Sequence, residues 1–542
     1  MAGTWNALQN QPGFNASTML LLTDGTVMCQ DDAQAQWYKF TPDQFGSYIA
    51  GTWSKMSAMN ISRKFFASQI LNDGSVLVVG GEYSSAGSNT NTAELYDPVR
   101  NRWTTVTAGF SWVNGDAPSC MLADGRILYG SISTNQSAIY DPVAKTWVEA
   151  GTAFGTKSAT KRAANSDEET WVLLPDGTVL TVECANIGAA EKYVPSQDEW
   201  VSASAGALPV TLVDAGNSEI GPAILLTDGR VFFIGATGHT AFYTPPARDP
   251  SQPGTWTAGP DILDNHNNLS TVIDGPACLL PNGKVLLVAG LRHLERTNFW
   301  SGPDVFFEFD PTSNAITELT GSHQPTIPNN IPYNNTWNAR LLLLPTGQVM
   351  FSSATEHVEI YNPDGTWEPA WQPTILNRMD LTALSVVRPY WVMGRQLNGL
   401  SQAVSYGDDY TAATNYPLVR LAFNISGHLY YCRTSGFSSM GVATGTAITR
   451  FRFDIPWNIE RGGAVLVISV NGIPADMIPT LVIPRIPHIP YLILRIPKRI
   501  IAKAKVMTTK PKPVTIISFV IIAVIAIGAI IRRYSKGRTS IG

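Results

Sequence analysis

At 542 residues the chain is too long for one ordinary globule, so two or three domains are expected. Its 45 Gly, 36 Pro, 15 Trp and 18 Tyr beside only 15% charged residues suit short strands and many turns, hence an all-β protein. A net charge of −4 leaves no electrostatic footprint for a nucleic-acid partner. Five cysteines without a C-x-x-C pair exclude a disulfide framework or a cysteine zinc site as the organising device.

In chain order, the N-terminal MAGTWNALQN has neither a basic n-region nor an apolar h-region, so no secretory signal peptide is expected. A repeat then begins. Asp-Gly or a close variant stands at 24–25, 73–74, 124–125, 176–177, 228–229, 282–283 and 346–347, each between two apolar runs such as MLLLTDGTVMC and AILLTDGRVFFI. Such a turn needs positive φ and is the strongest short-range hairpin signal. After each hairpin comes an aromatic, any residue, then Pro: Phe40, Tyr96, Tyr140, Tyr193, Tyr243, Phe309 and Tyr361 lead these triplets. A Trp then opens the last strand at 53, 103, 147, 200, 256 and 367, with Ile316 in the sixth copy. Four strands per unit, at a period of about fifty residues, match a kelch-type propeller blade, and seven blades close a ring over 1–380. Gly3-Thr4-Trp5 repeats the outer-strand signal and competes with Trp367 for the last blade's free edge.

Residues 381–485 hold alternating runs such as PLVRLAFN and ITRFRFDIP, which suit an immunoglobulin-like β-sandwich. Residues 486–513 are basic with interspersed Pro and read as a linker. Val514 to Ile531 is an uncharged apolar run long enough to cross a bilayer, so a C-terminal membrane anchor is expected over a buried core helix. The basic tail 532–542 follows it. Basic residues flank both ends of the run, so the positive-inside rule does not choose a side.

A kelch propeller followed by a β-sandwich resembles the galactose oxidase and glyoxal oxidase family, and bacterial kelch proteins of that architecture more closely. NASTMLLLTDGTVMCQD and NGLSQAVSYGDDYTAATNYPLVRL carry the closer resemblance, over roughly residues 1 to 475. It implies a single copper ion and a tyrosyl radical cross-linked to a cysteine. In the family the cross-linking cysteine, the radical tyrosine and a Tyr-His pair head the innermost strands of the second, third and last blades.

Eight residues before the turn residue, the inner strands here carry Ala16, Phe65, Asp116, Glu168, Ile220, Asp274 and Asn338, at one level of the central channel. Phe65, Asp116 and Trp337-Asn338 thus stand where the resemblance implies copper chemistry. The sandwich loop taken to match the family's remaining histidine, 434–440, has none. Cu(II) wants imidazole, so no catalytic residue, metal or cofactor is carried over.

Asp116, Glu168 and Asp274, with Glu219 one residue off, can instead attract polyol hydroxyls or a hard cation. Trp337 and Phe65 could stack on a sugar face, with Arg63 balancing charge. The alternative is that these acids accept hydrogen bonds from neighbouring inner-strand amides and line a water-filled channel. The cysteines at 29, 120, 184 and 278 read as small buried hydrophobes. The histidines at 239, 266, 293, 323, 357, 428 and 488 show no ligand spacing. Glu168-Glu169 points to opposite strand faces and is no glycosidase pair. The expected function is a non-catalytic, monomeric binding module for carbohydrate or protein, held at a membrane. An enzyme using the channel mouth, whether a misaligned oxidase or a hydrolase, and a purely structural surface protein are the rivals.

Overall fold

The computed structural model describes residues 3–107, 109–150, 161–291, 304–325, 336–407, 409–410 and 412–483. The seven turns fold as their sequence requires: Gly25, Gly74, Gly125, Gly177, Gly229, Gly283 and Gly347 lie at φ between 76° and 91°, where a Cβ is penalised. Asp24, Asp73, Asp124, Asp176, Asp228 and Asn282 each accept the amide two residues on at 2.9–3.1 Å, which fixes the turn.

Each turn joins the two innermost strands of a four-stranded antiparallel sheet. The first blade is Ala16–Leu21, Val27–Asp31, Trp37–Thr41 and Thr52–Lys55. Five more sheets follow over 67–106, 119–149, 172–202, 223–258 and 277–318. The seventh takes Arg340–Leu343, Val349–Ser352 and Val358–Asn362 from the end of the repeat and Thr4–Ala7 from the start of the chain. Trp5 pairs in register with Tyr361, while Trp367 is half-buried outside any strand. The N-terminal strand therefore closes the ring. Six blades share one cross-strand pair, a Tyr or Phe against a Trp with centroids 4.6–5.6 Å apart and tilted planes. Such pairs add to the area they bury.

Buried carboxylates pin the crossings between blades. Glu94 accepts the amides of Asn60 and Ile61 and pairs with Arg63 at 3.0 Å, both side chains fully buried. Two blades on, Glu191 accepts the amides of Arg162 and Ala163, with the Lys161 ammonium 3.9 Å away.

The second part of the fold is a β-domain. Its strands run in the order Thr374–Ile375, Tyr390–Arg395, Ile448–Asp454, Leu429–Ser435, Leu418–Phe423, Gly462–Val470, Ile478–Ile483 and Ala383–Ser385. Residues alternate between buried and exposed along Tyr390–Arg395 and Ile448–Asp454, the signature of sheets covered on one face. The domain sits on the turn face of the ring. Thr434 donates its amide to Thr23, Gly436 to Asn72 and Met440 to Ala123, at 2.9–3.0 Å.

All five cysteines are buried and unbridged. The linker at 486–513, the apolar run at 514–531 and the tail at 532–542 lie outside the described residues. Among those described, no helix is long and apolar enough to cross a membrane.

Candidate functional site at the channel mouth

A segment expected within the β-domain instead enters the propeller. The described residues of 401–416 are almost all buried and lie against the innermost strands of the ring. Val404–Ser405 pairs antiparallel with the innermost strand of blade 6, Ser405 opposite Ala277 and Val404 opposite Cys278. Gln402 accepts the Leu173 amide at 3.2 Å, and Thr170 Oγ1 donates to the Tyr406 carbonyl at 3.0 Å. On the other side Tyr406 donates to the Trp337 carbonyl at 2.7 Å, Tyr410 to Met19 at 2.6 Å, and Tyr416 to Leu21. Four blades thus hold one plug: blade 6 pairs with its backbone, and its tyrosine hydroxyls satisfy carbonyls of blades 1 and 7.

Arg340 locks the plug from blade 7. Its guanidinium, 1% exposed, lies 4.2 Å from the Tyr406 ring centre and 5.2 Å from that of Tyr410, and donates to the Trp337 carbonyl at 2.6 Å. Burial opposes this charge, but Tyr406, Asp409 and Tyr410 outweigh it and push the pKa up.

The plug reaches the heads of the inner strands, where a Cβ on Gly407 would meet Asp274 and the Ile220 carbonyl. The residues predicted at that level now divide into groups. Glu168, Glu219 and Asp274, from blades 4, 5 and 6, converge, with carboxylate oxygens within 4.8 Å of one another. Glu168 and Asp274 hold left-handed φ of 59° and 43°, and Ser218, before Glu219, holds 65°. Non-glycine residues keep such angles only where their surroundings impose them. Asp116 lies outside this group of three.

Across the ring, Phe65 and Trp337 meet edge to face at 5.7 Å. Trp337 and Asn338 come from a short 3-10 turn, Thr336–Asn338, rather than from the strand itself. Between the rings stands a group that the sequence reading passed over, the Lys64 ammonium. It is 4.9 Å from the Phe65 centroid, 4.8 Å from that of Trp337, 3.1 Å from Asp32 and 3.3 Å from Asn338 Oδ1. Burial lowers its pKa, and Asp32 opposes that shift. Around the rim, burial and Glu82 push the Asp167 carboxyl up to about 6, and burial and Asp409 raise Glu82.

Two expectations are corrected. Arg63 does not reach the mouth: its guanidinium is spent inside blade 2 on Glu94 and on the carbonyls of Gly80 and Thr92. Adjacent residues on an extended segment point to opposite sides, so Lys64 takes the place assigned to Arg63. Residues 434–440 lie at the turn face, so the channel loop of this chain is 401–416. It contains no histidine either.

The donor set does not fit copper. No described imidazole joins the three carboxylates, the Tyr406 hydroxyl and the Cys184 thiol are spent on the Trp337 and Glu168 carbonyls, and the Lys64 ammonium between Phe65 and Trp337 would repel a metal cation placed there. Four of the described histidines have partners elsewhere: His239 faces Asp261, His323 the Gly3 carbonyl, His357 Glu359 and His428 Glu460. Lys161, Glu169 and Trp171 form a separate buried cluster between blades 3 and 4, so Glu169 indeed faces away from Glu168.

A Kelch motif matches residues 71–108, the second blade. No curated protein matches the chain in sequence. Among solved structures, a fungal alcohol oxidase of the AA5 family in complex with copper is 14% identical, with a TM-score of 0.47, over 89% of this chain and 99% of that one. YCF48 bound to D1 peptide is 14% identical, with a TM-score of 0.41, over 67% of this chain and 96% of that one.

Proposed function

We propose that the protein is a non-catalytic binding module whose propeller takes a carbohydrate at the head end of its plugged channel. The observation that carries this reading is the convergence of Glu168, Glu219 and Asp274 from three neighbouring blades above a closed floor, opposite a lysine flanked by two aromatic rings. Carboxylates spaced this way accept hydrogen bonds from a polyol's hydroxyls, or hold a hard cation to which those hydroxyl oxygens coordinate. Trp337 and Phe65 supply apolar edges for a sugar ring. With the plug beneath, the ligand is bound from one side, and the scaffold needs no redox centre to do so. The C-terminal β-domain is read as an immunoglobulin-like module that delivers the plug, and residues 514–531 as the membrane anchor.

A glycan array probed with the full chain, followed by titration of each hit with and without EDTA, tests this. E168Q, E219Q and D274N should each weaken a hit by about tenfold or more, as expected when a charged hydrogen-bond partner in a buried or half-buried place is lost. An array without hits, or hits indifferent to all three changes, would end the carbohydrate reading. Loss of binding in EDTA alone would show that a cation mediates the contact. Membrane fractionation with and without residues 514–531 tests the anchor, and equal solubility of both forms removes it.

A further inference from the structure

The β-domain carries a face that neither its own core nor the propeller explains. In Tyr390–Arg395 and Ile448–Asp454, Trp391 lies opposite Arg452, Met393 opposite Arg450 and Arg395 opposite Ile448. Directly paired residues share a face, and all six are exposed. The partners that alternate with them, Tyr390, Val392, Phe451 and Phe453, are buried. Trp391 is 46% exposed, Met393 42% and Ile448 60%, so three large apolar side chains stand side by side in solvent. The Arg450 guanidinium lies over the Trp391 ring at 5.3 Å, which keeps both side chains raised and ordered on the sheet.

The composition and charge of this face decide what it fits. Trp, Met and Arg are the residues enriched where proteins meet, and the aliphatic Met393 and Ile448 offer nothing to a glycan's hydroxyls. Three arginines stand in the checkerboard. The carboxylate on these strands, Asp454, is in register with a fourth arginine, Arg433, on the neighbouring strand. With three arginines against the single exposed carboxylate Asp454, the face is cationic and apolar at once, and one carboxylate is too few to answer three arginines in self-pairing through a two-fold axis. We infer that the exposed sheet face around Trp391, Met393 and Arg450 docks an acidic, aromatic-containing peptide segment of a partner protein. The arginines fork onto carboxylates, and Trp391, Met393 and Ile448 pack against the partner's apolar side chains. This surface is separate from the channel mouth and does not depend on what binds there.

Fluorescence polarisation of the full chain with labelled poly(Glu,Tyr) copolymer tests the inference, with polyglutamate, polygalacturonate and phosphatidylserine vesicles as parallel probes. The copolymer should bind, weaken as salt rises, and lose about tenfold or more in affinity in R450E/R452E and separately in W391A/M393S. All four positions are on the surface, so thermal melts of the variants should match the parent, and E168Q should bind the copolymer as the parent does. No copolymer binding, or binding indifferent to both double variants, overturns the inference. Polyglutamate equalling the copolymer removes the apolar half of it. Polygalacturonate or vesicles binding with the same variant dependence replaces the peptide by a glycan or a lipid surface. Self-association in sedimentation that both double variants abolish replaces it by a second copy of this chain.

Discussion

The two ends of the channel contrast sharply. At the turn end, seven copies of the repeat do the same thing: a glycine in left-handed conformation, capped by Asp or Asn in six cases. At the head end, eight residues away, the copies diverge, with two rings and an ammonium on one side and three carboxylates on the other. Repetition builds the ring because each blade must solve the same backbone problem. Divergence is confined to the one level where side chains from all blades converge without being needed to hold the blades together. The turn end is covered by the β-domain, and the head end is where a ligand's chemistry could be read.

If that division holds, damage to the shared skeleton should cost stability, and damage at the head end should cost binding. The largest stability loss is expected at Glu94, which receives Arg63 and two crossing amides in a fully buried place. Glu94→Ala strands a buried guanidinium and should cost about 3–5 kcal/mol, read from urea unfolding. A cost under about 1 kcal/mol would mean that Arg63 relaxes to other partners.

Trp5→Ala comes next. Its ring, 6% exposed, packs on Phe306 and Tyr361 and completes the seventh blade, so the loss should be about 3–4 kcal/mol. Trp367→Ala, outside any strand, serves as the control, expected to cost under about 1 kcal/mol. The reverse order of effects would place the ring closure elsewhere. Tyr410→Phe is milder, since it removes the donor to the Met19 and Leu341 carbonyls while the ring stays beside Arg340. About 1 kcal/mol is expected, with the double-mutant cycle against Arg340→Met reporting any coupling through the plug.

The same contrast explains what could be read from sequence. The turns, the aromatic-x-Pro triplets and the Trp positions announce the propeller because backbone requirements at φ > 0 and cross-strand pairing leave marks in residue type. The plug leaves no such mark. Ser401 to Tyr416 is polar, glycine-containing and non-periodic, so it reads as an exposed loop. It is buried because the ring's inner edges supply hydrogen bonds that only the assembled fold creates. One signal was present: Arg340 at the start of an otherwise apolar strand demands a buried partner, and that partner is the plug's tyrosine pair. Arg63 and Lys64 are neighbours on an extended segment, so the charge expected from Arg63 reaches the mouth from Lys64, on the opposite side of the chain.

The smallest predicted effect tests whether the head end is tuned electrostatically. Burial and the neighbouring Glu82 raise the Asp167 carboxyl from 3.8 to about 6. The native chain then holds this proton to higher pH than the unfolded chain, so its contribution to stability is fullest below the unfolded pKa and is lost as pH rises through about 6. Asp167→Asn keeps the shape without the charge. Melting temperatures of parent and variant should agree below about pH 4, separate as pH rises from about 4 to 6, and stay apart above that, with the variant the higher. The gap should be modest, because Asp167 is partly exposed and solvent screens Glu82. A constant gap across that range would show that Asp167 titrates as an ordinary surface carboxylate, and that the crowding of acids at this end of the channel does not act on protons at all.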